Sequence, residues 1–264
     1  MLKINLEDRL RLNVEPGGDE ITITGDGQDV ALIPRGSGNL AYDAWQLFQS
    51  EYEAVPVVAD LEKRIPIQAG LGGGSSDAAA MLTALRTLTG KPDRQDDLLN
   101  LGARLGADVP FFLVAGHALA TGTGDVLRRV NVPRSWMVLL KPPRGVSTEI
   151  AYRLWDDDPV KKAGSPEEVV AALQNRNWEK LSKSLANDLA AVLLPERDDM
   201  RAGIQALKEA GSVAVTVSGS GSTLVGVVES QEDAFRVASR VSDRFSGWFN
   251  QVVETIGQEE YIEW

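Results

Sequence analysis

The sequence predicts an α+β chain of two lobes, on three observations. Segments with a two-residue apolar period and segments with a helical period fall into two mixed groups, not one alternating series. Asn131-Val132-Pro133 separates the groups, which places the lobes at residues 1–133 and 134–264. Apolar residues make up 43% of the 264 and charged residues 25%, enough to build a large core in each lobe.

In the first lobe Ile4, Leu6, Leu10, Leu12 and Val14 alternate with polar positions and read as strand. Pro16-Gly17-Gly18 turns the chain, and residues 20–24 read as a second strand. Residues 39–53 read as a helix with Leu40, Ala44, Leu47 and Phe48 on one face, and 55–61 as strand. The segment GLGGGSSDAA, from Gly70, leads into a helix carrying Ala78, Met81, Leu82, Leu85 and Leu88, which Gly90 and Pro92 stop. Residues 94–105 form a further helix ending at Gly106. In the second lobe, 136–140 read as strand, and 165–173 as a helix with a Ser-Pro-Glu-Glu entry. Residues 213–217 and 223–228 read as strands around SGSGS, and 232–245 as helix.

Composition excludes several kinds of function. With 38 acidic and 27 basic residues the formal net charge is −11, against a broad nucleic-acid or anionic-membrane surface, which needs clustered Lys and Arg. An anionic small substrate stays open, because backbone N–H groups and one or two cations suffice to hold a phosphate. The absence of cysteine removes disulfides, thiolate nucleophiles and Cys metal sites. His117 is the only histidine, which removes a multi-His metal site, and a lone histidine reads as structural. No apolar run reaches the roughly 18 residues that span a bilayer, and MLKINLEDRLRLNV has no signal-peptide core. The expectation is a soluble cytoplasmic protein that binds a small molecule, with no nucleic-acid or membrane partner; no pattern specifies an oligomeric state.

The glycine segment carries the chemistry. Four glycines in five positions cost conformational entropy and are tolerated where backbone turns sharply or approaches a ligand closely. Running into Ser75-Ser76-Asp77 and an alanine-rich helix, they aim successive N–H groups and a helix N-terminus at one place, which suits a phosphate. A plain connector capped by Ser75 or Ser76 is the alternative. No Lys-Ser or Lys-Thr pair follows, so this is not a P-loop, and Ser75 occupies the third position of GxGxxG. Farther on, Asp108 in LGADVPFF sits between a helix end and an apolar segment, a costly place for a lone carboxylate. It reads as a cap, a buried ion-pair partner or a catalytic group.

Residues 62–79, EKRIPIQAGLGGGSSDAA, resemble the ATP-binding motif of the GHMP kinases. The KRIP lead-in and triple glycine are similar to the branch that phosphorylates a diphosphocytidyl sugar alcohol. LGADVPFF from Leu105, Gly116-His117-Ala118, TGTGD from Thr121, KPPRGVSTEIAY from Lys141, Asn187-Asp188-Leu189 and VSGSGSTLVGVV from Val217 follow in that family's order. The resemblance implies a two-lobed GHMP kinase fold, with a ribosomal-protein-like N-terminal lobe and a ferredoxin-like C-terminal lobe. It implies that Gly70, Leu71, Gly72, Gly73, Gly74, Ser75 and Ser76 wrap the phosphates of ATP, and that Asn39 and Lys63 stand near the adenine. On residue type alone these last two read equally as a helix-start Asn and a solvated Lys. Asp108 becomes the catalytic acid–base residue, Mg²⁺ accompanies the nucleotide, and SGSGS packs against the phosphate loop. The implied reaction phosphorylates the 2-hydroxyl of 4-diphosphocytidyl-2-C-methyl-D-erythritol in non-mevalonate isoprenoid precursor synthesis. Another GHMP small-molecule kinase and a non-catalytic nucleotide-binding homologue are the rival readings.

The family opens with a PAKINL-type strand and a GYH-containing loop that contribute substrate contacts, including a lysine. Lys3-Ile4-Asn5-Leu6 imitates the former, but Glu7-Asp8-Arg9-Leu10 aligns with a later strand, and the spacing to Asn39 and Gly70 then fits without gaps. The expectation is that an opening segment is absent and that the functional protein is longer than 264 residues.

Overall fold

The computed structural model describes residues 1–25, 28–122, 124, 126–157, 159 and 164–257. Thr123 and Asp125 of the TGTGD motif lie outside the described residues. The chain forms two compact units: Met1 with Leu6–Ile67 and Gly72–Arg129, and Leu2–Asn5 with Gln68–Leu71 and the chain from Val130 onward.

In the first unit, β1 (Arg9–Val14), β2 (Asp19–Gly25) and β3 (Val57–Lys63) form a sheet of order β1-β3-β2. β1 runs antiparallel to β3, placing Leu10 opposite Leu61, and β2 runs parallel, placing Ile21 opposite Ala59. The helices are α1 (Leu40–Glu51), α2 (Gly73–Thr89), α3 (Gln95–Leu105) and the single turn α4 (Val109–Leu113), followed by the paired strands β4 (His117–Thr121) and β5 (Val126–Val130). Trp45 and Phe48 of α1 and Met81, Leu82 and Leu85 of α2 are fully buried with Ile21 and Leu61. These apolar stripes at helical spacing seat both helices on the sheet. The indole N–H of Trp45 is satisfied by the Val55 carbonyl at 3.0 Å.

The second unit comprises β6 (Trp136–Lys141), α5 (Thr148–Asp157), α6 (Pro166–Gln174), α7 (Trp178–Ser184), α8 (Asp188–Leu193), α9 (Asp198–Ala210), β7 (Ala214–Val217), β8 (Leu224–Val228), α10 (Gln231–Arg244) and β9 (Phe249–Glu254). Its sheet is antiparallel throughout, in the order β7-β8-β6-β9. With α9 between β6 and β7 and α10 between β8 and β9, this is the β-α-β-β-α-β arrangement of a ferredoxin-like lobe. α9 and α10 pack on each other and on the sheet, enclosing Val138, Leu140, Leu207, Leu224, Val237 and Val241.

Two expectations need correction. Residues 4–14 are not one strand. Residues 2–5 belong to the second unit, where Ile4 bridges Thr255 and the Asn5 amide donates to Glu254, and β1 starts only at Arg9. Asp8 breaks the run because its carboxylate accepts the amides of Arg64 (2.6 Å) and Ile65 (2.9 Å). Nor is Asp108 a buried ion-pair partner, one of its three readings: it precedes the short helix α4 and is exposed.

Candidate active site

The glycine run divides into two parts. Gly72, in the left-handed region at φ 71°, is the N-cap of α2, so Gly73 and Gly74 are helical rather than loop. The Ser76 amide donates to the Gly72 carbonyl at 2.9 Å, and the Ser76 hydroxyl to the Gly73 carbonyl at 2.7 Å. The amides of Gly73, Gly74 and Ser75 come earlier, so helix geometry gives them no intrahelical acceptor. Among the described residues no side chain caps this end. Ser75 and Ser76 therefore do not act as plain caps, and Ser76 spends its hydroxyl proton inside the turn.

α2 starts against two other elements of the first unit. A Cβ on Gly74 would lie 3.5 Å from the Leu40 side chain, beside Asn39. A Cβ on Gly72 would lie 2.8 Å from the Phe112 ring of α4. Asn39, the glycine turn and the short helix α4, which Asp108 precedes, thus meet at one end of the unit. Asn39 caps α1 by accepting the Ala41 amide at 3.0 Å, while its buried Nδ2 has no partner among the described residues. An orphaned buried donor and three amides without an intrahelical acceptor fit an anionic, hydrogen-bonding ligand.

Asp108 makes no capping bond to α4. Crowding by neighbouring atoms deprives its carboxylate of hydration and pushes its pKa up, with the Met1 ammonium opposing. A carboxylate raised in this way, on the residue that leads into α4, is suited to accept a proton.

In the second unit, which includes Leu71, Ala69 and Gly70 lie against the SGSGS turn between β7 and β8. The Ser218 hydroxyl donates to the Gly70 carbonyl at 2.8 Å and the Thr223 amide to the Ala69 carbonyl at 3.1 Å. Asn187 fixes this turn: its Nδ2 donates to the carbonyls of Val217 and Gly219, both at 2.8 Å, while its Oδ1 caps α8. Thr148, in the GVST motif, is 3.1 Å from the Ser220 hydroxyl. The NDL, GVST and SGSGS motifs are one hydrogen-bonded assembly around the start of the glycine run.

Lys63 does not stand free. Its Nζ is ion-paired with Asp8 and, at 2.6 Å, with Asp77, and all three side chains are at most 6% exposed. Burial by itself would lower the ammonium pKa, but the two carboxylates outweigh it and raise it. Burial pushes Asp77 up to about 7, with Asp8 adding and Lys63 opposing. Neither Asp8 nor Asp77 is signalled as a site residue by the sequence, since they lie 55 and 14 positions from Lys63. The raised Asp77 pKa makes a stability prediction. A carboxyl whose folded pKa exceeds its ordinary value contributes stability fully below that value and loses it as pH rises through the folded pKa, here about 7. Asp77→Asn cannot ionise, so its melting temperature relative to the parent should climb between about pH 4 and pH 7 and level off above. A relative melting temperature that falls over that range would show that the ion pair, not burial, dominates.

Models of two families match this chain: the GHMP kinases N terminal domain over residues 39–116 and the GHMP kinases C terminal domain over 169–247. The chain belongs to the GHMP kinases, and is a small-molecule kinase of that family. A relative from Synechococcus sp. (strain JA-2-3B'a(2-13)), a 4-diphosphocytidyl-2-C-methyl-D-erythritol kinase, is 38% identical over 267 residues, covering 96% of this chain and 84% of its own. The crystal structure of a 4-(cytidine 5'-diphospho)-2C-methyl-D-erythritol kinase superposes with a TM-score of 0.77 at 31% identity, covering 96% of this chain and 88% of that one. A homoserine kinase from Cytophaga hutchinsonii superposes almost as well, at 0.76 over 98% and 89%, but with 18% identity. That likeness concerns the fold alone and does not choose an acceptor.

Proposed function

We propose that the chain transfers the γ-phosphoryl group of ATP to the 2-hydroxyl of 4-diphosphocytidyl-2-C-methyl-D-erythritol, in the synthesis of isoprenoid precursors. The observation that carries this reading is the meeting of the glycine turn, whose Gly73, Gly74 and Ser75 amides have no intrahelical acceptor, with α4, which Asp108 precedes, at one end of the first unit. Phosphoryl transfer asks mainly for positioning and neutralisation of charge, which these groups supply. The run from Gly70 to Ser76 receives the phosphates, Asn39 Nδ2 donates to the nucleotide, and Asp108 orients the acceptor hydroxyl and takes its proton. Residues 1–133 act as the nucleotide lobe, and 134–264 carry the acceptor-side GVST loop. Mg²⁺, when bound, neutralises charge on the phosphate oxygens. Among the described residues no three His, Cys, Asp or Glu side chains gather to hold a metal.

The acceptor follows from the identity to the relatives rather than from any single side chain. A panel of mevalonate, homoserine, galactose and the diphosphocytidyl alcohol, each incubated with ATP, should yield a phosphorylated product from the last alone. Comparable turnover of mevalonate would move the chain to another branch of the family. ATP binding with no turnover of any acceptor would leave a nucleotide-binding homologue.

A further inference from the structure

The Lys63–Asp8–Asp77 cluster lies directly under the first turn of α2. A Cβ on Gly73 would come within 3.5 Å of the Lys63 ammonium and 3.0 Å of the Ile65 side chain, so the backbone of the turn rests on these two residues. Asp8 holds them from below, accepting the Arg64 and Ile65 amides with one oxygen and pairing with Lys63 through the other. Asp77, one turn into α2, takes the opposite side of the same ammonium at 2.6 Å. The end of β3, the segment before β1 and the start of α2 are thereby joined through one nitrogen.

Energetics say what such a joint is for. Three buried charges lose hydration that their mutual attraction only partly restores, and well-packed apolar side chains of equal volume are often as stable or more so. Direction is what the ions add. An ammonium between two carboxylates fixes its neighbours in orientation as well as distance, which an apolar contact does not.

We propose that Asp8 and Asp77 are positioning residues for nucleotide binding, acting through Lys63 to hold the Gly72 turn and the Gly73, Gly74 and Ser75 amides in their phosphate-receiving arrangement. This deepens the reading of the glycine run as the phosphate site and rests on it. It also changes the role of Lys63. With its ammonium engaged by two buried carboxylates, Lys63 serves the nucleotide through the backbone above it rather than by touching it.

The test measures the Kd of a fluorescent ATP analogue, the KM of the acceptor and the melting temperature for the parent, Asp77→Ala, Asp77→Asn, Lys63→Met and the double variant Lys63→Met/Asp77→Ala. Asp77→Ala is expected to raise the nucleotide Kd ~10-fold or more, as the loss of a positioned charged group does, with acceptor KM within about threefold. Asp77→Asn keeps an acceptor oxygen toward Lys63 and should stay within about threefold in Kd. Because both residues belong to one device, the double variant should bind no worse than Lys63→Met alone.

Three results would overturn the proposal. Unchanged or tighter nucleotide binding in Asp77→Ala would mean that the carboxylate does not hold the turn, or that it restrains a lysine that contacts the nucleotide. Additive losses in the double variant would mean that Lys63 and Asp77 act separately. Failure of Asp77→Ala to fold, or proportionate loss of nucleotide and acceptor binding together, would make the cluster an element of the fold only. Absence of nucleotide binding in the parent chain would instead sink the kinase reading itself, which keeps the two failures apart.

Discussion

Replacing Asp108 with asparagine is expected to cut kcat by ~10²-fold or more while leaving the nucleotide Kd near its parent value. Asparagine has the shape of aspartate but cannot accept the acceptor's proton, so an interaction made in the transition state disappears and ground-state binding remains. Stability should hardly move. Asp108 is exposed, makes no capping bond to α4, and has a carboxyl pKa raised by lost hydration. Its neutral replacement breaks no hydrogen bond among the described residues and removes only the charge attraction to the Met1 ammonium, so the melting temperature should stay within ~2 °C. A large fall in melting temperature with parental kcat would identify Asp108 as a structural residue of the α3–α4 corner. Loss of kcat together with loss of nucleotide binding would place it in the phosphate site rather than at the acceptor hydroxyl. Only a selective loss of kcat agrees with a proton acceptor.

Much of this arrangement was legible along the chain, because the signals are local. Asn39 caps α1 where expected, Gly90 ends α2 in the left-handed region, and SGSGS joins two antiparallel strands. Each depends on residues within one turn of each other, where backbone chemistry decides the outcome. What escaped notice depends on distant pairing. β6 lies between β8 and β9, and nothing near Trp136 or Phe249 announces that register. α9 buries Met200, Gly203, Ala206, Leu207 and Ala210, a stripe made largely of small residues amid charges and weak as an apolar signal. The carboxylates around Lys63 are the sharpest case. The family resemblance implied a cation near the adenine, and only the folding of β3 beneath α2 shows that the charge is already engaged.

The second large effect is expected at Gly70, where Ala should weaken nucleotide binding by ~10²-fold and lower the melting temperature by ~5–15 °C. Gly70 has φ +69°, a region that costs an L-residue ~1–2 kcal/mol. An added Cβ would also lie 2.1 Å from the Ser218 carbonyl oxygen, 2.8 Å from the Gly221 nitrogen and 2.9 Å from the Gly221 oxygen. All three atoms are backbone, so no flexible side chain can move aside. Nor can the turn retreat easily, because Asn187 holds the carbonyls of Val217 and Gly219 and the Thr223 amide is bonded to Ala69. Overpacking of ~1–3 kcal/mol therefore adds to the backbone cost, and the chain leading into Gly72 is displaced. Gly247→Ala separates the two contributions. Gly247 has φ +83° but nothing within 4 Å of its Cβ position, so its substitution carries the backbone cost alone. Gly247→Ala should cost only a few degrees and leave nucleotide binding intact. If Gly70→Ala matched it in both measurements, the SGSGS turn would yield without consequence, and its packing against the glycine run would have no part in holding the nucleotide.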